Sequence, residues 1–405
     1  MIGRIARKSL VNGIDNLIVF LKSWIIYFPA GFFYKRKKNL WLFIGRDDGR
    51  FLDNVKYLYL YVENLKNNKI DYYFITQNKN IFNTLKENRI RAIYHPTHES
   101  FRLLLSCEKI IIDSDQWIDK YKYQLCWGAE KIQLWHGSGI KRIELDNPKS
   151  KPYRKWRFLT GRFFKYDLLT ASSEFFAKNY FKPAFNYKKM VVTGFPRNDV
   201  FYNYKENYLI NTDKKTLDKC ITEKGKGKKI ILIAPTFRDT GGDPVTDGAI
   251  NIQKLKRFAE LNRLIFVFKF HPHPKFNYLI NQCSNILFYD NDKDVYPFMS
   301  ICNLLITDYS SIYIDFLLTG KPVLFFCYDY EKYVGKDRGM KFDYEYIACG
   351  PKTRNQEEME SEILKLLKNN GYFKKERKEI LDISFDFQDG KSSERIYNII
   401  LKRGI

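Results

Sequence analysis

This sequence predicts an α/β protein of two Rossmann-like domains facing a cleft, led by a basic amphipathic segment, and three observations carry the reading. A chain of 405 residues exceeds what one ordinary hydrophobic core organises. Short apolar runs alternate along it with amphipathic stretches, the rhythm of βαβ units and a parallel sheet. The third observation is the stretch Leu304–Tyr333. There an apolar run (Leu304–Ile306) feeds the polar cluster Thr307-Asp308-Tyr309-Ser310-Ser311. A helix-like apolar segment follows, and Gly320-Lys321-Pro322 breaks it before a second run, Val323–Phe326. Strand, loop, helix and strand in that order make the crossover unit of a parallel sheet.

The leader, residues 1–38, opens with Arg4, Arg7 and Lys8, continues through the apolar run Asn16–Phe33 and ends on four consecutive basic residues, Lys35–Lys38. Lys22 and Pro29 interrupt the run, which is short for a membrane crossing and lacks the small-residue cleavage site of a signal peptide. A membrane-associating helix in the interface of the cytoplasmic leaflet is expected. The first domain, 39–205, is predicted to hold strands at Leu40–Ile44, Tyr72–Ile75, Ala92–Tyr94, Lys109–Ile112, Lys131–Leu134, Leu168–Thr170 and Met190–Thr193. The polar, Lys-rich stretch 203–228 marks the connection to a second domain, 206–390. Its strands are predicted at Ile230–Ala234, Leu264–Phe268, Ile286–Tyr289, Leu304–Ile306 and Val323–Phe326. Residues 355–405 read mainly as helices, the last of them (391–405) crossing back to the first domain.

A formal net charge of +23 calls for an anionic partner: nucleic acid, acidic lipid or a phosphate-rich substrate. The tract Lys149–Lys165 has seven basic residues, no acidic ones and rings at Tyr153, Trp156, Phe158, Phe163 and Phe164. That density of aromatics suits an anionic membrane surface better than a solvated helix face. The basic tracts are paired with apolar residues and no RNA-binding signature occurs, so no nucleic-acid partner is expected. Seven scattered cysteines without a C-x-x-C pair point to a reducing compartment and no structural zinc.

Five polar clusters each follow a strand-like run and could converge on one cleft. They are Trp135-His136-Gly137-Ser138-Gly139-Ile140-Lys141, Gly194-Phe195-Pro196-Arg197-Asn198-Asp199, Ala234-Pro235-Thr236-Phe237-Arg238-Asp239, Lys269-Phe270-His271-Pro272-His273-Pro274, and Asp308–Ser311 with Asp315 one helical turn beyond. Three of the five histidines, His136, His271 and His273, lie in them. A histidine can take the proton of a hydroxyl nucleophile, and neighbouring Lys and Arg can hold a diphosphate. Ser310 and Ser311 suit a phosphate or, equally, a helix N-cap. Asp113-Ser114-Asp115 has the D-x-D spacing that some nucleotide-sugar transferases use for a divalent ion. Paired acids at a strand end are common, however, and the surrounding cations could replace a metal, so no cofactor is firmly implied.

The motifs WHGSGIK, GFPRND, APTFRD, FKFHPHP, ITDYSSIYIDF and QDGKSSERI, with the early GRFLDNVKYLYLYV, resemble in the same order the CDP-glycerol glycerophosphotransferase family, the polymerases and primases of teichoic acids and related capsules. The resemblance runs from about Leu40 to Ile400. It implies a GT-B-like pair of domains with a nucleotide-diphosphate donor in the cleft, working at the cytoplasmic face of the cell membrane. The reaction implied is transfer of a polyol phosphate from a CDP-polyol to a hydroxyl of a lipid-linked glycan or polyol-phosphate acceptor. His136 falls on the family's general base and His271 on its second catalytic histidine. Donor contacts carry over to Gly137, Ser138, Gly139, Ile140, Arg197, Pro235, Thr236, Lys269, Phe270, Ser310, Ser311 and Asp315, with Arg238, His273 and Asp308 as further candidates. For Asp315 the structural alternative is to orient its loop. Where the family often reads WHG-T-P-x-K, this chain has Ser138-Gly139, and the more flexible glycine is expected to alter the acceptor side. The donor polyol (glycerol or ribitol), the choice of primase or polymerase, and the oligomeric state stay open. A nucleotide-sugar glycosyltransferase and a basic nucleic-acid-binding protein are the alternative functions.

Overall fold

The computed structural model describes residues 18, 21–114, 122–147, 165–236, 238, 241–270, 284–333 and 339–402. The first sheet has seven strands in the order β3-β2-β1-β4-β5-β6-β7: β1 Lys37–Ile44, β2 Asp71–Thr76, β3 Ala92–Tyr94, β4 Cys107–Ile112, β5 Glu130–Gln133, β6 Tyr166–Ala171 and β7 Tyr187–Val192. The second has six in the order β10-β9-β8-β11-β12-β13: β8 Lys229–Ile233, β9 Leu264–Phe268, β10 Ile286–Phe288, β11 Leu304–Thr307, β12 Val323–Phe326 and β13 Lys352–Thr353. Every neighbouring pair is parallel, with registers such as Leu42 opposite Ile110 and Ile306 opposite Leu324. Each predicted strand run coincides with a strand. Only β13, two residues long, carries no apolar run to announce it.

Both faces of these sheets are covered, and alternate side chains serve different layers. In β1, Leu40, Leu42 and Ile44 pack into one apolar layer while Trp41 and Phe43 enter another that runs on beneath the second sheet. The helix α1 (Asp53–Leu65) follows β1 and is buried over most of its length. In the second domain, α2 (Ile312–Leu317) crosses from β11 to β12. The last helix, α3 (Ser392–Lys402), packs on α1, where Tyr397 meets Trp41 and Tyr61 and its hydroxyl accepts from Asn67 at 2.8 Å. Its first N–H groups, at Ser392 and Ser393, donate to the two carboxylate oxygens of Asp199 at 2.9 Å, which satisfies donors that a helix start leaves open.

A second buried bridge joins the domains. Lys56 on α1 donates to Asp294 Oδ2 at 2.7 Å and to the Tyr208 carbonyl at 2.7 Å, and the Tyr57 hydroxyl reaches the same carboxylate at 2.8 Å. Burial lowers the pKa of Lys56, and Asp294 opposes that shift. A buried pair of this kind is costly to disturb from either side. The leader contributes a short helix, Phe28–Phe33, anchored by Phe28 against Trp127 (ring centroids 4.8 Å apart). Ile25, Ile26, Phe32 and Phe33 project from it and the preceding turn at 67%, 54%, 72% and 86% exposure. Among the described residues no helix is long and apolar enough to cross a membrane. The basic-aromatic tract lies outside the described residues except for Lys165.

Candidate active site

Both sheets reverse their strand order at an inner pair, β1/β4 in the first and β8/β11 in the second. Loops leaving the carboxyl ends of such a pair frame the ligand crevice of an open α/β sheet. In each sheet the two loops are tied by the same kind of bond. Just past β1, the Arg46 N–H donates to Asp113 Oδ1, just past β4, at 2.9 Å. Just past β8, the Thr236 N–H donates to Asp308 Oδ1, just past β11, at 2.8 Å.

His136 follows β5 on a strained turn. Trp135 holds a left-handed φ of 55°, unusual for a bulky residue, and it is pinned on both sides. Gln133 accepts its N–H at 2.9 Å and the Asn54 amide donates to its carbonyl at 2.7 Å. The His136 ring stacks on the Trp135 indole, centroids 4.1 Å apart, and its Nδ1 lies 3.0 Å from the Asp113 carbonyl. A carbonyl can only accept, so Nδ1 carries the hydrogen and Nε2 presents a lone pair. Burial, and then the Arg46 charge, depress the His136 pKa to about 4 against the opposing pull of Asp53. The imidazole is therefore neutral near pH 7, the state a general base needs.

Arg197 joins this wall to the second domain. Its guanidinium pairs with Asp53, donates to the His136 carbonyl at 2.8 Å and reaches Asp315 Oδ2 on α2 at 2.5 Å. Asp315 also accepts from Asn198 at 2.9 Å and from the Tyr296 hydroxyl at 2.8 Å. Arg197 and Asp315 are 4% and 2% exposed, so these groups face each other instead of an open cleft. Gly137 is required here. Its φ is +116°, and a Cβ would stand 2.1 Å from Arg197 Nη2.

The rest of the WHGSGIK segment bridges the domains. Ser138 Oγ bonds Ser172 Oγ at 2.6 Å, the Ile140 carbonyl accepts from Lys341 N at 2.8 Å, and Lys141 forms an antiparallel bridge with Met340. Lys141 Nζ reaches Thr236 Oγ1 at 3.4 Å. Gly139, the more flexible residue in sequence terms, sits in a closely packed turn. A Cβ there would meet the Tyr180 hydroxyl at 2.0 Å, so the glycine makes room for a buried ring and the turn is tightly packed.

In the second domain, Arg238 is enclosed. It holds Asp329 with two nitrogens at 2.7 and 2.9 Å and Asp308 at 2.8 Å, with the Tyr309 and Tyr333 rings over its guanidinium. Arg238 and Asp308 therefore brace the loop that carries Pro235 and Thr236, both half-buried. Ser310 and Ser311 precede α2 and are half-buried. Among the described residues Ser311 makes no side-chain cap, and Ser310 accepts from Ile312 N only at 3.5 Å. Lys269 donates to the carbonyls of Asp290 and Lys293 at 3.4 and 3.2 Å, and burial pushes its pKa down to about 8. Phe270 packs edge-on to Phe268 and Phe288, on the domain's apolar layer. His271, His273 and Asp115 lie outside the described residues.

Reading clusters by strand ends passed over the loop after β1, which brings Arg46, Asp53 and Asn54 to the site. The same signal, polar residues just past a strand, was present in Gly45-Arg46-Asp47-Asp48-Gly49-Arg50. Tyr296 carried no such signal.

The family profile described as CDP-Glycerol:Poly(glycerophosphate) glycerophosphotransferase matches residues 26–402. The chain belongs to this glycerophosphotransferase family. Among its relatives are a teichoic acid poly(ribitol-phosphate) polymerase of Bacillus spizizenii, 29% identical over 72% of this chain and 46% of that protein, and the teichoic acid ribitol-phosphate polymerase TarL of Staphylococcus aureus, 28% identical over 92% of this chain and 64% of that protein. The chain thus spans about half the length of the first of these. The structure of the wall teichoic acid polymerase TagF superposes with a TM-score of 0.72 at 22% identity, covering 97% of this chain and 98% of that one. At that identity the likeness is one of fold: two parallel sheets in a GT-B-like pair.

Proposed function

We propose that this chain transfers a polyol phosphate, glycerol phosphate first among the candidates, from a CDP-polyol to a hydroxyl of a lipid-linked acceptor in teichoic acid or capsule-type polymer synthesis. The observation that carries the reading is a neutral histidine whose Nδ1 is held by the Asp113 carbonyl, leaving an Nε2 lone pair, on a loop that Arg197 ties to Asp315 of the second domain, in a chain of this family. In the step proposed, His136 Nε2 takes the proton of the acceptor hydroxyl as that oxygen bonds to the phosphorus of the polyol phosphate. The bond from this phosphorus to the CMP oxygen breaks, and CMP leaves with the electron pair. Thr236, Ser310, Ser311 and Lys269 line the second-domain crevice and receive the diphosphate, while His271 keeps the second catalytic role that the resemblance implies. Arg197 and Asp315 act as positioning residues that hold the base loop against the donor domain. Phosphoryl transfer depends mainly on such positioning and charge neutralisation.

The same reading puts the enzyme at the cytoplasmic face of the membrane, with the exposed Ile25, Ile26, Phe32 and Phe33 and the basic-aromatic tract on an anionic surface. Flotation with anionic vesicles tests this: Phe32→Ser with Phe33→Ser should lower the bound fraction, and an unchanged fraction would remove these rings from the surface. For the chemistry, purified protein is incubated with CDP-glycerol, CDP-ribitol or nucleotide sugars and a short lipid-linked acceptor. CMP release that disappears in His136→Ala supports the proposal. Turnover of a sugar donor in place of both CDP-polyols would overturn it.

A further inference from the structure

The guanidinium of Arg46 stands beside the general base with only long ion pairs to hold it. Among the described residues it makes no hydrogen bond: Nε is buried without a partner, and its nearest carboxylates are Asp53 Oδ2 at 3.7 Å and Asp47 at 4.0 Å. The other oxygen of Asp53 is already taken by Arg197. Neighbouring Arg50, by contrast, is paired to Asp292 at 3.1 Å. The Arg46 side chain is 36% exposed, so it is open on one side.

Its backbone is nevertheless fixed. The Arg46 N–H is bonded to Asp113, whose carbonyl orients His136, so cation and base hang from one residue. The loop beyond is locked, with Asp47 and Asp48 at φ 50° and 66° and Gly49 at φ +88°, where a Cβ would meet the Ile75 carbonyl at 2.7 Å. Arg46 also occupies, in the first sheet, the switch-point position that Thr236 occupies in the second, each bonded to the aspartate that ends the neighbouring strand. A guanidinium on a fixed backbone, without a hydrogen bond among the described residues and only loosely ion-paired, at a switch-point crevice, matches the oxygens of a phosphate.

We propose that Arg46 is a phosphate-binding residue of the first-domain crevice, engaging a phosphate oxygen beside His136. This rests on the phosphotransfer reading above, and the phosphate is either the terminal phosphodiester of the acceptor or the diphosphate of the donor. The test compares wild type, Arg46→Gln and Arg46→Lys as full chains, with thermal melts to verify folding. Inorganic pyrophosphate binding by calorimetry reads the anion site without turnover. CDP-glycerol binding and the acceptor KM, with and without a terminal glycerol phosphate, tell the two sources apart. Arg46→Gln is expected to weaken one of these by about 10- to 100-fold, the range of a lost charge-assisted contact, with partial recovery in Arg46→Lys. A folded Arg46→Gln protein with wild-type pyrophosphate binding, donor binding and acceptor KM would overturn the inference while leaving the function standing. Arg46-dependent pyrophosphate binding in a wild-type protein that turns over no CDP-polyol would keep the site and discard the function.

Discussion

Replacing Asp315 by alanine separates two roles for this residue, contact with the donor and a clamp between the domains. The wild-type carboxylate is 2% exposed and accepts from Arg197 at 2.5 Å, Asn198 at 2.9 Å and Tyr296 at 2.8 Å. Removing one member of a buried ion pair leaves the other charge uncompensated and costs about 3–5 kcal/mol. Arg197 retains Asp53, so the lower end, about 3 kcal/mol, is expected. Folded domains hold only about 5–15 kcal/mol in total, so the change should be plain in a urea titration followed by tryptophan fluorescence. The variant should unfold at clearly lower urea, and its donor affinity, measured on folded protein by calorimetry, should fall less than its stability. A variant with the wild-type urea midpoint and a tenfold or greater loss of donor affinity would refute the clamp and make Asp315 a ligand of the donor.

Five further expectations follow from the site. His136→Ala should slow CMP release by about 10²–10⁴-fold with the fold intact, and a smaller loss would remove the base role. Because the His136 pKa is depressed to about 4, its acid limb in kcat/KM should fall below pH 5 and not near 6.5. The unfolded chain takes up that proton near 6.5, so stability should drop as pH falls between 6.5 and 4, less steeply in His136→Asn, which urea midpoints across this range would check. The unliganded Lys269 ammonium loses its proton near pH 8, so CDP-polyol affinity should weaken as pH rises through 8, a dependence that Lys269→Met should abolish. Gly139→Ala should destabilise by about 1–3 kcal/mol through its clash with Tyr180, and adding Tyr180→Leu should recover part of that; strictly additive effects would argue against the contact.

The strands and their order along the chain were legible because parallel strands buried on both faces read as continuous apolar runs, whatever they later pair with. Leu264–Phe268 is buried at every position and was recognisable from composition alone. The strand-end clusters were legible for a related reason: ligand loops leave the carboxyl ends of such strands, so polarity just past an apolar run marks them. Local order of this kind needs no knowledge of the partner strand. The pairings that decide the site do need it. Arg197 meets Asp315 across 118 positions and Lys56 meets Asp294 across 238, and neither pair shares a period, a motif or a loop. Gly139 read as slack because a sequence does not display the Tyr180 ring that fills the space above it. Arg46 read as one charge among 69 Lys and Arg residues until the fold left it beside the base with no hydrogen bond among the described residues. Sequence alone determines which segments can be buried and where polarity interrupts them. Only packing two sheets together decides which charges neutralise each other and which stay loosely paired, because at these chain separations Coulomb and hydrogen-bond energies depend on distances that only the folded core sets.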